Sequence, residues 1–217
     1  MAVPSIMAVD CQNGGGRILR VSTLRDRRRQ ATEAEIEAAA IDLFEEAGYE
    51  ATTCDDIAAG ADVSARTFYR YGVNKEEAAF RSAKRFDELI GDALCERASG
   101  GPLTPGAVED AIAHLLAESC GEAWMVRMLR VRRLTSHDPA LRRIAQHYDA
   151  ECVDLVVRRL SERDGARPED LLRTRVTVAT ALTVFRAALD EWIARGAGDG
   201  AALIALYRKA SAFMAVR

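Results

Sequence analysis

The 217-residue sequence has little of what several protein classes require. It contains five prolines and 6% aromatic residues, and no apolar run approaches the roughly 18 residues of a membrane-spanning helix. Its histidines, His114, His137 and His147, are scattered, and the patterns of serine hydrolases, zinc proteases and nucleotide-binding loops are missing. We therefore predict a protein that is not an enzyme, with no cofactor, no metal site and no membrane partner.

Cysteine occurs in an odd number, and no two cysteines have the CxxC spacing of a metal or redox site. A disulfide framework needs pairs, so this pattern favours a reducing compartment. The first residues also lack the charged, apolar and cleavage-site series of a signal peptide, and we predict a cytoplasmic protein. A redox-sensing role for Cys120 is an alternative, although the sequence offers it no visible partner. The five positions are Cys11, Cys54, Cys95, Cys120 and Cys152.

Positive charge is concentrated locally, because the chain as a whole has a net charge of -3. The stretch from Arg17 to Arg29 holds six arginines and a single acid, Asp26. A second basic group consists of Arg66, Arg70 and Lys75. Nucleic-acid binding requires local basicity, whereas a charged run by itself is also typical of a solvated face.

Frequent Ala, Leu, Arg and Glu favour helices, and apolar residues recur at helical spacing with no strand-like alternation. The first helix is predicted over about 33–47, with Thr32 and Glu35 as its capping box. A long helix is predicted over about 75–98, before the GGPLTPG break. Later helices are predicted at about 107–119, 123–135, 139–163, 169–195 and 201–215. With the two short helices described next, we predict an all-α fold of about nine helices.

The segment from Thr53 to Lys75 predicts two short helices joined by a tight turn. Thr53 and Asp56 have capping-box spacing at the start of the first helix. Ile57 and Ala58 are placed to face inward, and the small Ala58 allows a second helix to cross close by. Asp62 follows at the turn.

The second short helix directs polar side chains outward. Ser64 is its predicted N-cap, and Phe68 is its predicted buried residue. The remaining side chains mix positive charge, hydroxyls and aromatic rings, which is typical of a recognition helix in a DNA major groove. They are Arg66, Thr67, Tyr69, Arg70 and Tyr71.

From about Arg25 to Phe80, the sequence resembles the TetR family of bacterial transcriptional regulators. The resemblance rests on LFEEAGYEATT, DDIAAGADVS, RTFYRY and NKEE in this order. Asp62 departs from the usual turn glycine, and Gly72 departs from the usual apolar residue. Asp tolerates a left-handed backbone, so we expect the turn to form. The resemblance implies a flexible arm over 1–24, a helix-turn-helix domain over 25–75 and a ligand-binding and dimerisation domain over 76–217.

The resemblance also implies a partner, a palindromic double-stranded DNA operator bound by a homodimer. We expect Arg66 and Arg70 to reach bases, and most other contacts to hold phosphates. The predicted DNA-binding residues are Arg27, Arg28, Thr53, Ser64, Ala65, Arg66, Thr67, Tyr69, Arg70, Tyr71 and Lys75.

The last two predicted helices, 169–195 and 201–215, have apolar side chains on most sides. Most of their surface must therefore be buried against other helices. One interpretation is a core within one chain. The other, which the resemblance implies, is a homodimer formed by pairing these helices with their symmetry copies.

The resemblance further implies a small-molecule pocket in the C-terminal domain. RRLTSHDPALRR and RAALDEW are similar to a TetR subgroup with an acyl-CoA-like ligand domain, which implies an apolar or acyl effector with a charged head met by Arg127, Arg130 or Arg186. Ordinary core packing is the alternative for the aromatic and Met residues, and an ion pair with Asp190 is the alternative for Arg186. The candidate ligand-binding residues are His114, Trp124, Arg127, Met128, Phe185 and Arg186.

Two functions follow. The first is a ligand-responsive transcriptional regulator, most simply a repressor released from its operator by the small molecule. The alternative is a helical small-molecule-binding protein with weakened or lost operator binding, which the departures at Asp62 and Gly72 motivate.

Overall fold

The computed structural model describes residues 23–71, 74–98, 103–162, 167–197 and 200–215. These residues form ten helices and no strand, so the prediction of an all-α fold of about nine helices is confirmed. The helices are α1 (Leu24–Ala47), α2 (Cys54–Gly60), α3 (Ala65–Arg70), α4 (Lys75–Ala79), α5 (Arg81–Arg97), α6 (Pro105–Glu118), α7 (Ala123–His137), α8 (Pro139–Ser161), α9 (Pro168–Ala194) and α10 (Gly200–Ala215).

The first helix begins earlier than the sequence pattern predicts. Its N-cap is Thr23, whose hydroxyl accepts a hydrogen bond from the backbone N–H of Asp26. The Asp26 carboxylate in turn accepts from the backbone N–H of Thr23, which completes a capping box. The predicted box at Thr32 and Glu35 is wrong, because the upstream pair starts the helix and good helix formers continue it. The arginines of 25–29 therefore lie on the first turns of α1 instead of preceding it. Most of the predicted arm, residues 1–22, lies outside the described part of the chain.

The predicted helix over 75–98 is divided into α4 and α5 at Phe80. Phe80 is buried and its ring centroid lies 5.3 Å from that of Tyr148 on α8. The carboxylate of Glu37 on α1 accepts from the backbone N–H of Ser82 at 2.5 Å and from its hydroxyl at 2.7 Å. A side chain 45 residues away thus satisfies a backbone donor at the start of α5, which allows the helix to break there.

The helices share a continuous core. α1 packs against α2, α4 and α7, whereas α5 packs against α6, α7 and α8. α9 lies between α8 and α10. At the centre, the Phe185 ring stacks on Phe86 at 5.4 Å and meets Tyr207 edge-on at 5.7 Å. The helices that follow α4 therefore pack into one unit, and α1 connects α2 and α3 to it through its contacts with α4 and α7.

In the described part of the chain, every helix is too short or too polar to span a membrane. The same residues include no cluster of three or more His, Cys, Asp or Glu side chains that could hold a metal ion.

Candidate DNA-binding unit and ligand cavities

The two short helices form as the sequence predicts. Thr53 and Asp56 make a reciprocal capping box at the start of α2, with Thr53 N–H donating to the Asp56 carboxylate at 2.9 Å. Ser64 caps α3 by accepting from Thr67 N–H at 3.1 Å. Asp62 adopts a φ of 53°, the left-handed conformation expected for it at the turn. The replacement of glycine by Asp62 therefore leaves the turn intact.

Burial separates the two faces of this unit. Ile57, Ala58 and Phe68 are buried, as predicted, and hold α2 and α3 together. On the outer face, the side chains of Arg66, Tyr69 and Arg70 are exposed, as are Thr53, Ser64 and Ala65 at the helix starts. The Thr67 hydroxyl is half-buried and lies 2.9 Å from the Ser64 hydroxyl. α3 thus presents a short basic and aromatic face outward.

The arginines of α1 continue this face. The Arg29 guanidinium lies 5.9 Å from the centroid of the Tyr71 ring, and the Arg70 guanidinium lies 6.0 Å from the same ring. Tyr71 therefore connects the first turns of α1 with the end of α3. Arg27 and Arg28 on α1 are exposed. In the described part of the chain, neither Arg66 nor Arg70 forms a salt bridge, so the charge of α3 is available to an external anion.

The ammonium of Lys75 is bound by groups of the protein itself. Its ammonium donates to the carbonyls of Tyr49 at 2.9 Å and Thr52 at 3.2 Å, and it lies 4.0 Å from the centroid of the Tyr49 ring. The Tyr49 hydroxyl donates to Glu76, and burial together with this carboxylate raises the pKa of Tyr49. These contacts clamp the loop that leads into α2. They favour a positioning role for Lys75, while its predicted phosphate contact stays a prediction.

Two arginines of α7 are bound to α1. Arg127 Nε donates to the buried Glu37 carboxylate at 2.7 Å. Arg130 contacts Asp42 at 2.7 Å and Glu45 at 2.5 Å. The sequence suggested that these guanidinium groups meet a ligand, and it did not suggest their partners on α1. Their contacts tie the helix-turn-helix unit to the rest of the protein.

Among the cavities lined by described residues, none of those identified brings together the six predicted ligand-binding residues. His114 is exposed on α6 beside Glu118, at 3.4 Å. Met128 and Phe185 are part of the filled core. Trp124 and Arg127 line a cavity of about 550 Å³ between α1, α5 and α7, which we call the junction cavity. Arg186 lines a different cavity of about 430 Å³ between α7, α8 and α9, which we call the α7–α9 cavity.

Arg186 belongs to a partly buried charge cluster. It pairs with Asp149, whereas the sequence alternative was Asp190, and Asp149 also accepts from Arg132 at 2.8 Å. Asp87 lies nearby, and burial raises the pKa of its carboxyl to about 7 although Arg132 acts in the opposite direction. Cys54, Cys120 and Cys152 are free thiols.

The fold and the exposed basic face of α3 define a helix-turn-helix DNA-binding protein. Residues 36–78 match the family of bacterial regulatory proteins named after TetR. The chain is 29% identical over 190 residues to the HTH-type transcriptional regulator TcmR of Streptomyces glaucescens, covering 86% of this chain and 84% of that protein. The chain is therefore similar to TetR-family transcriptional regulators over most of its length, and the match to the family model lies in the helix-turn-helix region, as the motifs indicated.

Solved structures share the fold. A TetR-family regulator from Syntrophomonas wolfei superposes with a TM-score of 0.58 at 16% identity, over 87% of this chain and 97% of that one. FadR from Thermus thermophilus, a repressor solved in complex with lauroyl-CoA, gives a TM-score of 0.47 at 23% identity, over 85% and 96% of the two chains. The second similarity is too loose to bear on the ligand of the present chain.

Proposed function

We propose that the chain is a ligand-responsive repressor that binds a palindromic operator as a homodimer and is released by a small molecule of apolar or acyl type. The observation that best supports this proposal is the basic face of α3. This face is free of salt bridges among the described residues and is joined through Tyr71 to the arginines of α1. In this proposal residues 25–75 form the DNA-binding domain, and residues 76–217 bind the effector and dimerise in the cytoplasm.

At the operator, Arg66 and Arg70 would reach base edges in the major groove, where guanidinium groups bind guanine in a bidentate way. The surrounding side chains and helix starts would hold phosphates and fix the register. We assign this second role to Thr53, Ala65, Thr67, Tyr69 and Tyr71, and contacts with phosphates or the minor groove to Arg27 and Arg28. Ser64 mainly caps α3, and Lys75 mainly holds the loop into α2 while adding positive charge near the phosphates.

The proposal is tested by selecting DNA from a random library with the purified full-length protein. A selected palindrome with half-sites about 34–36 Å apart would support it. Titrating the complex with apolar and acyl compounds then tests release. A protein that selects no sequence but binds such compounds would instead be the alternative, a small-molecule-binding protein without an operator. The intact turn at Asp62 favours the regulator, and Gly72 lies outside the described residues.

Replacing Arg25, Arg27, Arg28 and Arg29 by Gln should reduce the salt dependence of operator binding. Each neutralised phosphate adds about -0.9 to the slope of log affinity against log salt concentration, so the slope should flatten by that amount for each phosphate that the variant leaves unneutralised. Operator affinity is measured between low and moderate salt. Deleting residues 1–22, which keeps the Thr23 cap, is the control and should change the slope less. An unchanged slope in the substituted protein would show that these arginines are a solvated face.

The proposed dimer uses α9 and α10. These helices expose large apolar side chains at Leu172, Val176, Phe213 and Met214, and Phe213 is 70% exposed. Apolar groups on the outside of the last two helices indicate a surface that a second copy covers. A dimer also supplies the two recognition helices that a palindrome needs.

Val176→Asp should shift the protein from dimer to monomer, because it would bury a carboxylate without a partner in the interface. Light scattering after size-exclusion chromatography measures the mass directly. Val126→Asp is the matched control, since Val126 is an exposed apolar residue on α7, outside the proposed interface. A monomeric wild-type protein, or equal masses for both variants, would contradict the α9–α10 dimer.

Release requires an effector that binds the DNA-free conformation better than the DNA-bound one. The contacts of Arg127 and Arg130 with α1 supply a physical connection, because a shift of α7 must move or break them. The junction cavity lies directly beside the Arg127–Glu37 contact. We infer that effector binding changes the position of α1–α3 through this connection.

A further inference from the structure

The α7–α9 cavity lies where three helix segments meet. The C-terminal end of α7, the first half of α8 and the second half of α9 enclose its volume of about 430 Å³. Three guanidinium groups line it, those of Arg132, Arg142 and Arg186, together with one carboxylate, that of Asp190. Asp149 is shared between Arg132 and Arg186, so two of these cations have one carboxylate in common. The cavity therefore favours an anion.

Two buried donors of this cavity have no hydrogen-bond partner. They are the hydroxyl of Ser136 and Nε of Arg186. Arg186 donates to Asp149 through Nη2, which leaves Nε without an acceptor. The Ser136 carbonyl accepts from Arg142 at 2.6 Å, but this contact leaves the Ser136 hydroxyl unused. Buried donors are normally satisfied, so two orphaned donors on one cavity point to a missing acceptor.

Part of the lining of the cavity is apolar. Leu189 and Ala145 are buried, and Ile193 is half-buried beside them. All three line the same space as the orphaned donors. This lining suits a ligand that combines an anionic head with an apolar body.

We propose that the α7–α9 cavity binds a small amphiphilic carboxylate, with its two oxygens accepting from Ser136 Oγ and Arg186 Nε and its apolar body on Leu189 and Ile193. A carboxylate accepts through both oxygens and forms its strongest hydrogen bonds with guanidinium donors. A cationic amine is disfavoured by the three guanidinium groups. Any effect of this ligand on DNA release rests on the proposed function, whereas its binding does not.

The junction cavity also has two buried donors without a partner, Nε and Nη2 of Arg81, but it differs in charge. Four basic residues and four acidic residues line it, so it has no excess of either charge. Its basic residues are Arg81, Lys84, Arg85 and Arg127, and its acidic residues are Glu33, Glu37, Glu88 and Asp92. An excess of basic groups therefore distinguishes the α7–α9 cavity from the junction cavity.

Isothermal titration calorimetry on the full-length protein without DNA tests the proposal. The probes are octanoate and 4-phenylbutyrate, matched in shape by octylammonium and 4-phenylbutylammonium. At least one carboxylate should bind about tenfold or more tightly than its ammonium counterpart, since a single charge-assisted hydrogen bond accounts for such a ratio. No binding of either carboxylate, or equal binding of carboxylate and ammonium, would overturn the assignment.

Two variants locate the binding. Ser136→Ala and Arg186→Gln should each weaken carboxylate binding by about tenfold, because each removes one donor to a charged acceptor. Arg175→Gln is the control, since Arg175 lies on the same helix as Arg186, pairs with Asp154 on the surface and does not line the cavity. Thermal unfolding shows whether each variant folds. If Arg186→Gln does not fold, the binding measurement on Ser136→Ala decides the test. Wild-type affinity in Ser136→Ala would overturn the proposal.

The same carboxylate is then added to the protein–operator complex. Loss of operator binding in the wild type, but not in Ser136→Ala, would identify the carboxylate as the effector. If the carboxylate binds the free protein and leaves operator affinity unchanged, the site stands and its role in release fails. The two proposals are thus separated by one pair of measurements.

Discussion

An Arg66→Ala, Arg70→Ala double variant should bind the selected operator about a hundredfold more weakly than the wild type. Both guanidinium groups are on the exposed face of α3 and neither forms a salt bridge in the described part of the chain. Their removal eliminates two major-groove interactions at each half-site and leaves the fold untouched. Affinity for a scrambled sequence should fall less, because non-specific binding depends on phosphate contacts over a larger surface.

Fluorescence anisotropy at one fixed salt concentration measures both affinities. Arg97→Ala is the control, since Arg97 is an exposed arginine on α5 whose Nη1 donates to the carbonyl of Ala93, one turn earlier. It should retain wild-type affinity for both sequences. Equal operator affinity in the double variant and the wild type would refute the assignment of α3 as the recognition helix.

Replacing Glu37 by Ala should lower the free energy of unfolding by about 3–5 kcal/mol. Glu37 is 2% exposed and accepts three hydrogen bonds, from Ser82 N–H, the Ser82 hydroxyl and Arg127 Nε. Its removal leaves the guanidinium of Arg127 and a backbone donor of α5 without acceptors. For a protein of this size, the expected fall in melting temperature is about 10 °C.

Urea denaturation measures the free energy, and circular dichroism measures the melting temperature. Glu46→Ala is the matched control, because Glu46 is an exposed glutamate of the same helix with no salt bridge among the described residues. It should change stability by less than about 0.5 kcal/mol. If both variants were equally stable, the contact between α1, α5 and α7 would contribute nothing to holding the DNA-binding unit in place.

The helix-turn-helix unit was predictable from the sequence because its determinants are local. A capping box requires Thr53 and Asp56 three residues apart, and an N-cap requires Ser64 beside the helix that it starts. The burial of Phe68 follows from helical periodicity. The same local logic predicted a left-handed backbone at Asp62, and the motifs around it indicated the similarity to TetR-family regulators.

Local signals failed where two capping boxes competed. Thr23 with Asp26 and Thr32 with Glu35 both have the required spacing, and the upstream pair starts α1. Nothing in the spacing ranks one box above the other when helix formers lie between them. The position of the arginines on α1, and hence their continuity with α3 through Tyr71, depended on this choice.

By itself, the sequence determined the helical class, the recognition helix and its polar face, since these depend on residues within one or two turns of each other. Only the tertiary structure decided the break at Phe80 and the partners of the arginines predicted to meet a ligand. Glu37 is separated from Ser82 by 45 residues and from Arg127 by 90, and Asp149 is 37 residues from Arg186. An arginine of suitable character looks the same in sequence whether it meets a ligand or a distant carboxylate, because its role depends on which helices pack against it.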